Sequence, residues 1–315
     1  MSLRAALERI MTSWPSARTQ AFAQNPLAVF LRDDAASVIR NVLTAPSGLA
    51  VKGSAGAGQW AFVPWVAVFD NVVTDSATYG YYVVYLFHLT KPIAHLSLNQ
   101  GATATRTEFK DSARGVLTER AALIRRRVSD YSSKLPVTSI DLGSSKPLPG
   151  DYEAGHAMGI TYTAAELPSD LILAEHLNTA IAAYRALTFR GGLDPSIEAE
   201  EEGEAHSPGA SLVERRRYKM HRRIERNPRA AKEAKKHHGL RCQACTLQFD
   251  ERYGDLGRGF IEAHHLRPIS SLEEGSPTSY DVAEDFAVLC SNCHRMIHKT
   301  TDPSDVLAFR KLLRF

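Results

Sequence analysis

Two runs of apolar residues in the first third of the chain predict neighbouring β-strands. Residues 59–69 and 79–87 are both rich in β-branched and aromatic side chains, which favour extended backbone. The glycine-rich segment 52–58 precedes the first run and predicts a loop whose backbone can approach another molecule closely. A nucleotide-binding P-loop is a poor alternative, because no Gly-Lys-Ser/Thr follows the glycines and a strand comes next. We therefore predict a sheet with a projecting loop and no nucleotide ligand.

Two shorter apolar runs lie near the other end of the chain. Phe260–Ile261 and Phe286–Leu289 predict two short strands, and Pro268 ends the first of them. The adjacent His264 and His265 belong to the first strand, and neighbouring residues on extended backbone point to opposite sides. One histidine can therefore bind a metal ion while the other faces elsewhere.

A helix carrying two histidines is predicted directly after the second short strand. His294 and His298 are four residues apart, so they share one face of that helix. Cys290 and Cys293 stand at its start, and a metal ion bound there would fix the direction in which His294 points.

All four cysteines of the chain fall into two Cys-x-x-Cys pairs, Cys242/Cys245 and Cys290/Cys293. Such a pair directs two thiolates at one metal ion, and two pairs complete the tetrahedral sulfur shell of a structural zinc site. Four unrelated buried thiols, or two disulfides, are the alternatives. The regular spacing and the lack of an export signal favour Zn²⁺.

Composition and charge divide the chain into two domains. With 315 residues, 44% hydrophobic and 23% charged, the chain can bury two cores. The net charge of +3 conceals six acidic residues within 194–204, and 12 Lys/Arg against 3 Glu within 211–241. The acidic stretch is typical of a solvated linker. We predict an N-terminal domain over residues 1–190, an acidic linker over 191–210 and a C-terminal domain over 211–315.

The basic stretch is predicted to form two helices that contact DNA phosphates. Ser211 and Glu214 form a capping box for the first helix. Asn227-Pro228 begins the second helix, and Gly239 ends it. A solvated helix surface is the alternative, but the neighbouring metal-ligating residues favour phosphate contact. The arginines assigned to this contact are Arg216, Arg222, Arg223 and Arg226.

The first residues of the sequence do not have the pattern of a targeting signal. Residues 1–24 carry scattered charges on an amphipathic pattern and lack the apolar core of a signal peptide, which predicts a cytoplasmic protein. No apolar run approaches the ~20 residues that span a bilayer, so we expect no membrane partner.

The C-terminal segments RRIERNP, RCQAC, IEAHHLRPI and VLCSNCHRMIH resemble, in this order, the HNH, or ββα-metal, nucleases. The resemblance covers about residues 215–315 and implies a zinc-stabilised ββα-metal domain that hydrolyses phosphodiester bonds. Phosphodiester hydrolysis requires a general base with a pKa near neutral and a cation beside the scissile phosphate, and histidines can supply the base and bind the cation. Glu262, two residues before His264, is a candidate partner that orients a ligand.

The HNH resemblance also implies roles for single residues. His265 is the general base that activates water. His264 and His294 are ligands of a catalytic Mg²⁺ or Mn²⁺, with Co²⁺ or Ni²⁺ as alternatives. His298 is a further ligand or a phosphate contact. The asparagine that names the family falls at Asp285, a departure whose carboxylate can still orient the loop that carries the base.

The N-terminal segments VKGSAGAGQW, VPWVAVFD and YGYYVVYLF resemble the DNA-binding domain of McrB-type modification-dependent restriction systems. The resemblance covers about residues 1–190. It implies an α+β domain with a mixed sheet that flips a methylated cytosine out of the duplex into an aromatic pocket. The implied pocket residues are Trp65, Tyr82 and Leu86, for which the alternative is a place in the hydrophobic core.

The glycine-rich loop is expected to contact the DNA beside that pocket. Lys52 and Ser54 are placed for phosphate contact, since glycines let the backbone approach closely. Ala57 stands where the family can place an aromatic wedge. Gln59 or Trp60 is therefore expected to fill the vacated base stack, unless the base is not flipped.

Together, these features predict a type IV, modification-dependent restriction endonuclease acting on 5-methylcytosine or 5-hydroxymethylcytosine in double-stranded DNA of a bacterium or archaeon. One alternative is an HNH nuclease specific for a glucosylated base or a backbone mark. Another is an inactive, zinc-bearing DNA-binding protein, because Asp285 replaces the asparagine. Cutting of both strands by a single-site enzyme would favour a homodimer.

Overall fold

The computed structural model describes residues 1–193, 224, 228–267 and 280–314. The chain divides into two compact units, Met1–Glu204 and Ala205–Phe315. The predicted domain boundaries at 190 and 210 remain predictions, because the linker beyond Leu193 lies outside the described residues.

The first unit is built on a five-stranded sheet in which the strands follow one another in chain order. The α+β class is confirmed, whereas the expected mixed sheet is replaced by one with antiparallel pairing between all neighbouring strands. Successive strands that return beside each other must run in opposite directions, which explains the pairing. The strands are β1 (Leu49–Ser54), β2 (Trp65–Asp70), β3 (Tyr81–Phe87), β4 (Ile93–Gln100) and β5 (Met158–Thr163).

Helices flank this sheet before β1, between β4 and β5, and after β5. In residues 1–193 they are α1 (Leu3–Ala17), α2 (Pro26–Arg32), α3 (Asp34–Val42), α4 (Ala102–Phe109), α5 (Ala113–Arg127), α6 (Pro147–Gly155) and α7 (Asp170–Phe189). Helix α7 packs on one sheet face, where the Tyr184 ring lies 5.6 Å from Tyr81. Helix α6 meets the other face, where Asn99 donates to the Tyr152 carbonyl.

The first apolar run forms a strand over only part of its length. Residues 59–64 belong to the glycine-rich loop, and β2 begins at Trp65. The loop is closed by a hydrogen bond from Ala61 N–H to the Ala55 carbonyl (2.8 Å). Gly56 adopts φ of 128°, a backbone conformation that β-carbons disfavour, so the chain turns here instead of extending.

Close packing demands a glycine in β1. A β-carbon at Gly53 would lie 1.8 Å from the Leu31 carbonyl oxygen, so helix α2 approaches the strand more closely than any side chain permits. The glycine-rich segment is therefore partly a packing feature and partly a projecting loop.

The second unit contains a two-stranded antiparallel sheet with a small buried core. The strands are β6 (Glu262–His265) and β7 (Phe286–Leu289), and the helices in its described residues are α8 (Pro228–His238), α9 (Phe249–Tyr253), α10 (Ser291–Ile297) and α11 (Val306–Leu312). Gly239 follows α8 with φ of 81°, as predicted for the residue that ends this helix. Across the described residues of both units, none of the helices has the length and apolar character needed to cross a bilayer.

Candidate metal centres and DNA-contacting residues

The four cysteines converge in the second unit. Their Sγ atoms lie within 4.8 Å of one another, and Cys245 Sγ is 3.6 Å from Cys290 Sγ. Four sulfur donors at this separation fit a tetrahedral ion with metal–sulfur bonds of about 2.3 Å. The predicted set of ligands is therefore brought together, and no pair is joined as a disulfide.

Local backbone geometry explains how each pair points at one centre. Cys245 N–H donates to Cys242 Sγ (3.5 Å), and Cys293 N–H donates to Cys290 Sγ (3.4 Å). Thr246 adopts φ of 64°, so the chain reverses after the first pair. Burial tends to raise the pKa of Cys242, but backbone N–H donors outweigh it and the pKa lies below its usual value. At Cys242 these N–H groups stabilise a thiolate, the form that binds metal ions, whereas burial raises the pKa values of Cys290 and Cys293.

Gln243 joins the first cysteine pair to β7. Its N–H donates to the Val288 carbonyl (3.0 Å), and its side-chain oxygen accepts from the Val288 N–H (2.8 Å). The two Cys-x-x-Cys turns are thereby held side by side even though 45 residues separate Cys245 from Cys290.

Three histidines form a second cluster. His264 in β6, His294 in α10 and His298 at the end of α10 have ligand nitrogens within 4.8 Å of one another. Their ring centroids are 5.0–5.2 Å apart. His264 is buried and the other two are half-buried, so the cluster opens towards solvent. The three rings could hold one divalent ion and leave room for substrate oxygens.

The orientation of the His264 ring follows from one hydrogen bond. Nε2 lies 2.8 Å from the Pro303 carbonyl oxygen, which can only accept. Nε2 therefore carries the hydrogen, and the lone pair of the neutral ring is on Nδ1. A backbone carbonyl that fixes the tautomer in this way is a frequent partner of metal-binding histidines.

Glu262 orients His294. Its Oε2 accepts from His294 Nδ1 (2.6 Å), and its Oε1 accepts from the Ser291 hydroxyl (2.6 Å). Burial tends to raise the pKa of Glu262, but the hydrogen bonds from Ser291 and His294 outweigh it and lower the pKa. An ionised Glu262 holds the Nδ1 hydrogen in place and leaves Nε2 of His294 as the ligand atom.

His265 is separate from the histidine cluster. It occupies the next position along β6, opposite Phe286 of β7, and its ring centroid lies 5.3 Å from the Phe286 ring. Successive strand residues face opposite sides. The predicted arrangement, with the two adjacent histidines on opposite sides of the strand, is observed; the roles of His264 as a metal ligand and of His265 as the base remain predictions.

Asp285 ties together the ends of both short strands. Its carboxylate accepts from Arg267 Nε (2.8 Å) and from Asp281 N–H (2.6 Å), while its carbonyl accepts from Leu266 N–H (2.8 Å). Burial tends to raise the pKa of Asp285, but these donors outweigh it and lower the pKa. The carboxylate that stands in place of the asparagine thus pairs with the guanidinium group of Arg267, a contact that no motif in the sequence indicates.

The three expected pocket residues share one face of the large sheet. Trp65 pairs directly with Leu86, and Tyr82 lies four residues before Leu86 on the same strand. Trp65 is half-buried, whereas Tyr82 and Leu86 are each only 3% exposed. The Tyr82 hydroxyl donates to the Ala77 carbonyl (3.0 Å). Whether they enclose a base remains a prediction.

The expected loop contacts have different surroundings. Trp60 packs edge-on against Trp14 and Phe22 at 5.2 and 5.1 Å, and its indole N–H donates to the Gln20 carbonyl. Gln59 is exposed at the loop tip. Of the two wedge candidates, Gln59 is the one whose side chain the structure leaves at the surface.

The two predicted phosphate contacts in the loop also differ. Lys52 is exposed, and its Nζ donates to the Asp75 carbonyl (2.6 Å). Ser54 Oγ accepts from Gly56 N–H (3.2 Å) and supports the loop. The predicted phosphate contacts of the basic stretch, Arg216, Arg222, Arg223 and Arg226, lie outside the described residues.

Comparisons with known families match the two units in turn. The family described as "MrcB-like, N-terminal domain" matches residues 9–189, and the family described as "HNH endonuclease" matches residues 242–300. A search of curated proteins found no match. The two matches define the type IV architecture of a modification-dependent restriction nuclease that acts on DNA.

The first match spans more than half of the chain, and the chain therefore belongs to the MrcB-like N-terminal domain family, here joined to an HNH endonuclease domain. The resemblances predicted from both halves of the sequence are confirmed.

Proposed function

We propose that this nuclease recognises modified cytosine, 5-methylcytosine or 5-hydroxymethylcytosine, in double-stranded DNA and cuts the DNA with its HNH site. The proposed DNA cleavage is supported by the cluster of His264, His294 and His298, which lies in the same unit as four cysteines that could hold zinc. The proposed recognition of modified cytosine is supported by Trp65 and Tyr82, which share one face of the sheet in the domain that matches the MrcB-like family.

The residues of the second unit divide the chemistry between them. His265 accepts the proton of the attacking water, because its ring is independent of the ligand cluster. His264, His294 and His298 hold the divalent ion, which when bound stabilises negative charge on the scissile phosphate and the leaving oxygen. Glu262 and the Pro303 carbonyl keep two of these rings in the tautomer that a cation requires.

Ligand chemistry narrows the choice of ion. Imidazole nitrogens suit Co²⁺, Ni²⁺ and Zn²⁺, and Mn²⁺ accepts them beside the oxygen ligands that it prefers, whereas Mg²⁺ requires oxygen ligands and gives up its waters reluctantly. Since the site offers three histidine nitrogens, we propose a transition-metal ion such as Mn²⁺ and expect Mg²⁺ to support cutting less well. The cysteine cluster holds a structural Zn²⁺.

Base flipping would use Trp65, Tyr82 and Leu86. Extruding a base costs a few kcal/mol, which stacking on an aromatic ring and contact with the added methyl group offset. The half-buried Trp65 ring is the most accessible of the three side chains, so it is the proposed stacking partner. Gln59 at the loop tip would occupy the vacated position in the duplex.

One plasmid prepared in three forms tests the proposal: unmodified, carrying 5-methylcytosine, and carrying 5-hydroxymethylcytosine. Each form is incubated with the wild-type protein and Mg²⁺ or Mn²⁺, and parallel reactions contain the His265→Ala variant as control. We expect Mn²⁺-dependent cutting of a modified form only, and no cutting by the variant, which still binds the modified DNA.

Each other outcome has a distinct meaning. Equal cutting of all three plasmids would retain the nuclease and reject the modified-cytosine reader. Cutting by His265→Ala would remove His265 as the base. Gel filtration of the protein with modified DNA would decide whether a homodimer forms.

A further inference from the structure

Two cations meet at one exposed aromatic ring in the first unit. Phe62, in the last part of the glycine-rich loop before β2, is 41% exposed. The Arg18 guanidinium carbon lies 5.6 Å from the centre of its ring, and the Lys146 Nζ lies 5.7 Å from it. Arg18 follows α1 and Lys146 precedes α6. Three segments distant in sequence therefore converge on one surface point.

Neither of these cations is neutralised within the described residues. Arg18 and Lys146 form no ion pair there, and Arg18 Nε is buried without a hydrogen-bond partner. Attraction to an aromatic ring is weak at an exposed site, and two like charges repel each other. An anionic group that contacts both cations relieves this repulsion.

The positive surface continues beyond Lys146. The next residue, Pro147, accepts hydrogen bonds through its carbonyl from Arg106 (3.5 Å) and Arg114 (3.3 Å). Both guanidinium groups also pair with Asp151, whose side chain is fully buried. Two cations share one carboxylate, so positive charge remains, and both arginine side chains are about half exposed.

We propose that Arg18, Phe62, Lys146, Arg106 and Arg114 form a cationic strip that binds the sugar-phosphate backbone of duplex DNA, whether or not a base is modified. Four cations and one buried carboxylate leave the strip with a net charge of +3. Lysine and arginine contacts to phosphate position a duplex and carry no sequence information. This inference rests on the proposed function, in which DNA is the substrate.

The strip differs from the loop contacts suggested by the glycine motif. Trp60 is anchored in the core, and Lys52 Nζ is bonded to the Asp75 carbonyl. Arg18 and Lys146, by contrast, form no ion pair with any residue that the structure describes. The strip therefore positions the duplex, while the sheet face that carries Trp65 contacts the modified base.

Binding of the full chain to labelled duplexes tests the strip. Fluorescence anisotropy is measured without Mg²⁺ or Mn²⁺, on a duplex with one 5-methylcytosine and on its unmodified counterpart, from about 50 to 200 mM NaCl. The double variant Arg18→Gln/Lys146→Gln should bind both duplexes about tenfold or more weakly. Its slope of log affinity against log salt should be shallower by roughly 1.8, about 0.9 for each lost phosphate contact.

Matched variants control for the loss of charge itself. Arg9 lies nine residues before Arg18, on the opposite side of α1, and Lys134 is exposed in a loop. Arg9→Gln/Lys134→Gln should leave affinity and salt slope unchanged. Circular dichroism melting of each variant verifies that it is folded.

The outcomes separate the strip from the reader. Wild-type affinity and slope in the Arg18/Lys146 variant would overturn the strip, as would weaker binding confined to the modified duplex. A wild-type chain that binds both duplexes equally would overturn the proposed reader, while the change in salt slope still decides the strip. A Phe62→Leu variant with weaker binding to both duplexes supports the role of its ring, and unchanged binding removes Phe62 from the strip.

Discussion

Single side chains at the histidine cluster have defined directions because backbone and carboxylate groups hold them. Pro303 fixes the His264 ring through its carbonyl, and Glu262 fixes the His294 ring while Ser291 fixes Glu262. The cluster is therefore prepared for an ion by groups that do not touch the ion themselves.

A Glu262→Gln substitution tests this preparation. The amide removes the negative charge that holds the His294 Nδ1 hydrogen, so we expect metal affinity to fall by about 10- to 100-fold. Titration of Mn²⁺ against cleavage rate, with binding measured by calorimetry, should show a higher half-saturating concentration and a recoverable rate at high Mn²⁺. Ser291→Ala should show a smaller effect in the same direction. Unchanged Mn²⁺ affinity in Glu262→Gln would contradict the assignment.

Sequence spacing predicted those parts of the site that are local along the chain. The cysteine pairs, the adjacent His264 and His265, and the histidines of α10 are separated by intervals of three, one and four residues. The contacts of Pro303 with His264 and of Arg267 with Asp285 join residues 39 and 18 positions apart. No periodicity marks such pairs, since packing alone brings them together.

At the scale of elements, α10 connects the two candidate metal centres. Cys290 caps the helix by accepting from Cys293 N–H through its sulfur, and its carbonyl accepts from the His294 N–H (2.8 Å). The cysteine cluster thus sets the start of the helix that presents His294 and His298.

Cys290→Ser should therefore affect both centres. We expect loss of bound zinc, loss of cleavage, and unfolding of the second unit, because structural zinc contributes about 10 kcal/mol or more in small zinc domains. Elemental analysis gives the zinc content, and calorimetry follows the melting transitions. The transition of the first unit serves as an internal reference, and Met296→Ala, an exposed position on the same helix, serves as the control. Two unaltered transitions would count against the zinc assignment.

The large sheet has its own pH-sensitive element beneath α6. Ser97 donates to His156 Nδ1 (2.6 Å), and His156 Nε2 donates to the Val137 carbonyl (3.0 Å). Burial lowers the pKa of His156 to about 4, below the value of ~6.5 in an unfolded chain. Stability from neutral His156 is thus complete above pH ~6.5 and is lost as the pH falls towards 4, by up to about 3 kcal/mol.

Thermal unfolding between about pH 7 and 4.5 checks this expectation. The melting temperature of the first unit should fall with pH, and less steeply in His156→Gln, whose amide can accept from Ser97 and donate to Val137. Burial also lowers the pKa values of His88 and His95, so part of the dependence should remain in the variant. Identical pH dependence in the variant and the wild type would exclude His156 as its source.

Across the whole molecule, the proposed recognition of the modified base by the first unit should confine cutting by the second unit to modified DNA. A Trp65→Ala substitution should reduce cutting of the modified plasmid roughly 5- to 100-fold, towards the level of unmodified DNA, by removing a base-stacking surface worth about 1–3 kcal/mol. Trp65→Phe, which keeps a ring, should restore most of the preference. Selective cutting by Trp65→Ala would contradict the proposed pocket.

The division into two units could be predicted from composition and from the order of the motifs. Which side chains are buried and which lie at the surface could not. The aromatic runs predicted strands, but only the packing of Trp60 on Trp14 shows which aromatic side chain turns inward. Likewise, folding brings Phe62 and Lys146 together from distant parts of the chain. Neither residue belongs to a recognisable motif, so the sequence alone does not predict this contact.

The single turn of α10 that separates Cys290 from His294 has an evolutionary consequence. A substitution at Cys290 would disturb both centres, whereas a substitution at His294 removes a ligand of the histidine cluster alone. Among descendants of this chain, loss of the cysteine pairs should therefore be accompanied by loss of the constraint on His294, whereas His294 can be lost from lineages that keep all four cysteines.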